Sequence, residues 1–398
     1  MTTVTIPAAL ADRERLEHGA MAALIGFAIA LQISIAAAGI MLSLTLLAWM
    51  ALTIRNHERV ELPPIFAPLV AYAVLTLIAA AFAVNPEVSF FDSKQLVLFL
   101  IVPAVYRLAR GPRAVTIVKV IVSVGAISAA FGIVQYGIFG YDNLGKRPQG
   151  ALTHYMTYSG LLVLVVCAAA ARALFAQRDR VGAMQDRTWP ALVMPALLVA
   201  LALTFTRSAW VGVTTALAFL FILKDIRLVA LLPLVAAASF VLAPDRVATR
   251  VNSMFDLKDP TTRDRMAMLR TGISIIGDDP LTGVGGDGVR LVYQDYRDPG
   301  AVERVAPHLH NVPLHIAAER GLPAVGVWIW FIVVLVRDLW RKVRTSAYPA
   351  LAAGGLAATA SMLAAGLFEY NFGDSEFLML FLLLITLPYA ADREASAP

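Results

Sequence analysis

Residues 191–223 read ALVMPALLVALALTFTRSAWVGVTTALAFLFIL, 33 positions with a single charge, Arg207, and a few hydroxyls. An α-helix rises about 1.5 Å per residue and a bilayer core is about 30 Å thick, so about 20 residues make one crossing. The stretch is too long for one crossing and too apolar for a soluble helix. It reads as two spans with Arg207 at an outer hairpin between them, where the residue snorkels to the interface and Trp210 anchors beside it. An ionisable residue at membrane depth is also a functional candidate by default, here as an anion ligand at the membrane surface.

The same pattern extends along the whole chain. The block from Gly19 to Ile54 holds two spans, split near Ala36–Gly39. Others follow at 65–84, 94–108, 114–138, 154–175, 190–206, 208–223, 227–243, 321–337, 350–368 and 375–390, twelve in all. Composition agrees: 59% of the 398 residues are hydrophobic and 15% charged, against roughly 25% charged in average soluble domains. Disorder, a coiled coil and a disulfide-rich module are excluded. The expected fold is an all-α polytopic membrane protein. Residues 1–243 carry nine transmembrane helices, 244–320 form a large outer loop, and 321–398 carry three more helices and a short inner tail.

The formal net charge is +5. In a soluble chain that would suggest nucleic acid, but here the positive-inside rule accounts for it. With both termini inside, eighteen Lys and Arg residues from Arg13 to Arg393 fall on the inner side, whereas the short outer loops hold only Lys146, Arg147 and Arg207, with Lys94 at a span start. Nucleic acid is therefore no expected partner. The opening MTTVTIPAALADRERLEHGA is polar and acid-bearing, and reads as retained, not as a cleaved signal peptide. The single cysteine, Cys167, leaves no intrachain disulfide or thiolate metal cluster.

The 77-residue outer loop at 244–320 is out of proportion to the others and reads as folded and functional. Asp259-Pro260-Thr261-Thr262 signals a helix start, after which Met266, Leu269, Ile273 and Ile276 recur at helical spacing. Arg263, Arg265 and Arg270 lie on or near that helix, and guanidinium forks suit a diphosphate; a solvated amphipathic helix on anionic headgroups is the plainer alternative. Gly283-Val-Gly-Gly-Asp-Gly288 is a literal G-x-G-x-x-G, but a helix precedes it in place of a buried strand, so it reads as a turn. Further on, His308, His310 and His315 stand close to Glu319. Histidine titrates near neutral pH and suits acid–base work. The same four side chains are possible metal ligands, but they match no established zinc spacing, so no metal is expected.

Taken together, these motifs resemble the bacterial O-antigen ligase and polymerase superfamily. Thr206-Arg207-Ser208-Ala209-Trp210 looks like its arginine turn, and Arg265, followed by Asp279-Pro-Leu-Thr-Gly-Val-Gly285, looks like its loop arginine. His310-Asn311, nine residues and Gly321 follow the ligase pattern. Two positions depart from the family pattern: Ala324 stands where it closes with Gly, Thr or Tyr, and Leu269 where an aromatic is common.

The resemblance implies a GT-C-like inner-membrane glycosyltransferase. Its donor is an undecaprenyl-diphosphate-linked glycan, and its acceptor a lipid A–core or glycan hydroxyl. It implies that Arg207 and Arg265 hold the diphosphate, that His310 is the base, and that no cofactor is needed. Arg263, Arg270, His308, Asn311 and Glu319 are the further expected substrate contacts, with membrane lipids as surroundings. One of the nearby acids, such as Glu319, Asp374 or Glu376, is expected to orient His310 or a second arginine. A polymerase and, less favoured, a protein O-oligosaccharyltransferase are the enzyme alternatives; a lipid-linked-glycan transporter is the rival class, but no two-half repeat or intramembrane polar site is visible.

Overall fold

A computed structural model describes residues 8–176, 183–231, 233, 249–250 and 259–393. Among the described residues the chain is all-helical, with no strand. Helices α1 (Ala8–Ala30) and α2 (Ile35–Arg55) pack as a hairpin. The break between them falls at 31–34, earlier than the expected Ala36–Gly39, because the Ser34 hydroxyl accepts the Ala37 N–H and caps α2. The small residues that suggested the split lie inside the helix, where nothing breaks its ladder.

Next come α3 (Phe66–Ala81), α4 (Pro86–Asp92), a 3₁₀ segment (Ser93–Leu100), α5 (Ile101–Leu108) and α6 (Pro112–Gly137). They are followed by α7 (Tyr155–Phe175), α8 (Ala183–Leu203) and α9 (Arg207–Lys224). Six described helical runs are long and apolar enough to cross a membrane: α2, Pro86–Leu108, α6, α7, α9 and Val312–Thr345. Four shorter apolar helices, at Phe66–Ala81, Arg187–Leu203, Pro349–Ala365 and Ser375–Ala391, accompany them. If the four shorter helices and α1 cross as well, the count reaches eleven, and the twelfth of the expected spans is 227–243. The expected span 227–243 falls mostly outside the described residues.

The core is centred on α7, whose residues from Leu161 to Arg172 are all buried, Cys167 among them at 1% exposure. It packs against α8, α9 and α13 (Pro349–Ala365), and α13 packs in turn on α14 (Ser375–Ala391). At the periphery, α2 exposes Ile40, Leu44, Leu47 and Ile54, as a lipid-facing helix does. One end of the bundle is tied by ion pairs: Arg107 binds both Glu17 and Glu58, and Arg393 binds Glu61 and the Tyr106 carbonyl. These are residues expected on the inner side.

At the opposite end sits the described part of the 244–320 segment, which the sequence reading expected as the outer loop. It contains α10 (Pro260–Asp278), α11 (Gly288–Tyr296) and the start of α12 (Val312–Thr345). Met268, Ile275, Val284, Val289, Tyr293 and Leu309 form a small core of its own. Its glycine segment docks through the backbone: Val84 N–H donates to the Val284 carbonyl, and Gly285 N–H to that of Glu319. A Cβ at Gly285 would stand 2.1 Å from that of Ala83, so the glycines serve close backbone approach, as the turn reading expected.

The expected boundary between loop and tenth span at 320/321 is a bend inside α12. Gly321 has φ 77°, and a Cβ there would lie 2.0 Å from the Leu281 carbonyl oxygen. The helical piece 312–320 and the longer apolar helix beyond it are therefore two helices that meet at a kink, where Gly321 takes non-helical φ and ψ of 77° and 167°.

Candidate active site

The spacing from His310 to Gly321 has a local physical cause. The Asn311 side chain accepts the Leu314 N–H at 3.0 Å and caps α12, which opens with Val312 and Pro313. Nine helical residues later the chain turns at Gly321. His310, just before the cap, has φ 49°, a left-handed conformation uncommon outside glycine. What holds it there is the turn after α13. Val312 N–H donates to the Gly366 carbonyl at 2.7 Å, and the Asn311 amide donates to that of Leu367 at 3.2 Å.

That turn carries Glu369. Its Oε1 lies 3.0 Å from His310 Nδ1 and 3.5 Å from His308 Nε2, and also accepts the Tyr370 N–H. Burial alone would raise the Glu369 carboxyl, but the hydrogen bonds from His308 and His310 hold it well below the ordinary carboxylate range. An ionised carboxylate only accepts, so His310 Nδ1 carries the proton and neutral His310 has its Nε2 lone pair free. His308, His310 and Glu369 also each offer a ligand atom within 4.8 Å of the others, enough to hold a metal ion.

Behind them lies a buried chain of charges. His315 Nε2 is 3.3 Å from Glu319, Glu319 is 2.7 Å from Arg320, and Arg320 is 3.2 Å from Asp92 on α4. The Tyr370 ring packs against that of His315, with centroids 3.9 Å apart and planes tilted by 54°. Glu319 thus serves this network and not His310.

On the other side of the site, Arg207 is the first residue of α9, buried at 8% exposure, and no snorkelling turn residue. It pairs at 3.1 Å with Asp259, the residue that caps α10 by accepting the Thr262 N–H. Burial would raise the Asp259 carboxyl, but Arg207, Thr262 and Arg250 together hold it below its ordinary value. Arg265 follows on α10, half-buried, and its Nε is buried with no hydrogen-bond partner. Burial lowers Arg265 from the ordinary arginine range, and among its charged neighbours Glu369 opposes this while Arg207 adds to it.

Two further arginines join the group. Arg147 lies over the Tyr155 ring at 4.1 Å and feels Arg207. Arg250 is 3.8 Å from Asp259 and feels Arg207, Arg147 and Arg265. Four guanidinium groups thus share one neighbourhood with Asp259, next to a histidine–carboxylate pair. Such an arrangement can bind a polyanion and place a base beside it.

The structure brings together Arg207, Arg265, His308 and His310, with Asn311 as the cap that fixes His310. Arg263 is exposed, and Arg270 is bound by Asp298 at 2.6 Å. Both lie on other sides of α10 from Arg265, as residues two and five positions away must. Sequence reasoning counted Arg147 only as a basic residue of a short outer loop, and did not single out Glu369 or Arg250. The available signal for Glu369 was its position, one residue past an expected outer span end.

Residues 191–329, about a third of the chain, match the family model described as O-antigen ligase. This stretch carries the O-antigen ligase family pattern. The match supports the O-antigen ligase superfamily, whose members are membrane glycosyltransferase-like ligases and polymerases. It contains Arg207, Arg265, His310 and Gly321, and leaves out Arg147 and Glu369. No curated protein matches the sequence.

Proposed function

We propose that this O-antigen ligase-superfamily protein is a metal-independent glycosyltransferase of the ligase type. It moves a glycan from undecaprenyl diphosphate to a lipid A–core hydroxyl on the periplasmic side of the inner membrane, with both termini cytoplasmic. The observation that carries the reading is the Arg265 guanidinium, which has an unpartnered buried Nε and feels the charges of both Arg207 and Glu369, the partner of His310.

In the reaction, Arg207 and Arg265 bind the diphosphate, and Arg147 and Arg250 add positive potential around it. His310 Nε2 takes the proton of the acceptor hydroxyl, and Glu369 fixes the imidazole and stabilises the imidazolium that forms. The acceptor oxygen attacks the anomeric carbon as its bond to the diphosphate oxygen breaks. The bonding electrons leave with undecaprenyl diphosphate, and the arginines stabilise that charge. A single displacement inverts the anomeric centre. Because fixed guanidinium groups supply the charge stabilisation, a chelator leaves the rate unchanged; loss of activity restored by zinc would move the assignment to a metal held by His308, His310 and Glu369.

A null strain examined on a lipopolysaccharide gel tests the reaction. Loss of all polymer from lipid A–core, with lipid-linked polymer still made, supports the ligase. A single repeat unit on the core would instead assign a polymerase. Arg207→Ala, Arg265→Ala and His310→Ala each abolish transfer while the protein remains in the membrane; wild-type transfer by His310→Ala overturns the base assignment.

A further inference from the structure

His308 Nε2, His310 Nδ1 and a Glu369 carboxylate oxygen all lie within 4.8 Å of one another. In a tetrahedral Zn²⁺ site with bonds of about 2.0–2.1 Å, neighbouring ligand atoms stand about 3.3–3.4 Å apart. The two edges that end on Glu369 Oε1 measure 3.0 Å to His310 and 3.5 Å to His308. Along these edges the ligands already stand close to the spacing an ion requires. They can also be reached, since the side chains of His308, His310 and Glu369 keep 31%, 20% and 15% exposure.

The donors are held in place from behind. Glu369 Oε1 accepts the Tyr370 N–H at 3.1 Å, and the Asn311 cap fixes the backbone next to His310. His315 is no fourth ligand, because its Nε2 faces Glu319 at 3.3 Å. Two imidazoles and one carboxylate oxygen suit a transition ion such as Zn²⁺, whereas Mg²⁺ and Ca²⁺ call for shells of oxygen. Three protein ligands leave a fourth position for water.

We infer that His308, His310 and Glu369 form a Zn²⁺ site whose occupancy switches off transfer. The site stands on its own geometry, and the switch rests on the proposed role of His310 as the base. A neutral imidazole has one N–H and one lone pair. With Nδ1 bound to the ion, the proton sits on Nε2, the nitrogen that must be free to take the proton of the acceptor hydroxyl. Glu369, bound to the ion, is also drawn away from the imidazolium it stabilises. Added zinc therefore lowers the rate and a chelator restores it, the opposite sign from a catalytic metal.

The test uses the full-length protein without a histidine tag, in nanodiscs of a zwitterionic lipid. Isothermal titration calorimetry with Zn²⁺ reads the site without turnover, and transfer with zinc is compared with each variant's own metal-free rate. Wild type binds Zn²⁺ and loses about tenfold or more of its rate when the site is saturated. His308→Ala and Glu369→Gln each weaken this binding by about 100-fold or more, at least the effect of losing a group that merely orients a ligand. His308→Ala then needs correspondingly more zinc for the same fractional loss of rate. Failure of the wild type to bind Zn²⁺, or wild-type zinc affinity in either variant once folded, overturns the site. A zinc-saturated wild type that keeps its metal-free rate, or exceeds it, overturns the switch. Absence of transfer by the metal-free wild type, with zinc binding still dependent on His308, would instead count against the glycosyl-transfer reading and support the site.

Discussion

The Arg207 guanidinium lies 3.1 Å from the Asp259 carboxylate, joining the first turn of α9 to the cap of α10. One ion pair therefore sets a membrane helix against the loop helix that carries Arg265. Both side chains are largely shielded, at 7% and 14% exposure. Asp259→Asn keeps a capping oxygen for Thr262 but removes the charge that offsets Arg207. It is expected to cost about 3 kcal/mol, as removal of one partner from a buried pair does. Asp259→Ala loses the cap as well, for about 1 kcal/mol more. Chemical denaturation in detergent measures both, and equal stabilities for the two variants would show that the cap contributes nothing.

Arg265 offers a planar fork, and lysine cannot replace it at a bidentate phosphate site. Arg265→Lys is expected to reduce transfer by about 10²–10³-fold, the scale of losing one transition-state donor. The turnover rate should fall with little change in the amount of protein in the membrane. A Lys variant with near wild-type turnover would show that only the charge matters.

Glu369 makes stability pH-dependent with a definite sign. Its carboxyl lies well below the ordinary range, since His308 and His310 outweigh the effect of burial. A depressed carboxylate stabilises the fold above its unfolded pKa, about 4.3 for Glu, and that stabilisation is lost as pH falls toward the folded value. Wild-type protein should therefore lose stability on acidification below about pH 4.3, and Glu369→Gln should lose less over the same window. Thermal unfolding across pH 3 to 7 compares them; parallel curves would remove Glu369 from the account.

Gly321 is confined by its φ of 77° and by the Leu281 carbonyl 2.0 Å from where a Cβ would sit. Gly321→Ala is expected to cost about 2 kcal/mol or more, from left-handed strain plus the clash. Limited proteolysis should then cut the loop faster while the helical bundle stays in the membrane. Wild-type resistance would mean that the bend can relax.

What could be read from the sequence was what neighbouring residues decide. Arg207 stood out because an apolar run isolates it, and the His310-Asn311 to Gly321 spacing is a cap, a short helix and a turn. The break at Ser34 was displaced because one hydroxyl hydrogen bond outweighs a cluster of small residues. The Arg320–Asp92 pair had no such local mark, and neither the loop position of Arg147 nor the span-end position of Glu369 named a partner. Arg320 and Asp92 lie 228 positions apart, and Glu369 reaches His310 across 59. Their meeting is decided by how helices pack, which no periodicity records.

The solitary Cys167 has a practical consequence. At 1% exposure in the middle of α7 it is shielded from reagents on either side of the membrane. The natural chain is thus a silent background for membrane-impermeant maleimides. A cysteine introduced at the exposed Leu144 reports one face and another at the exposed Arg59 reports the opposite one, with no native thiol to remove first.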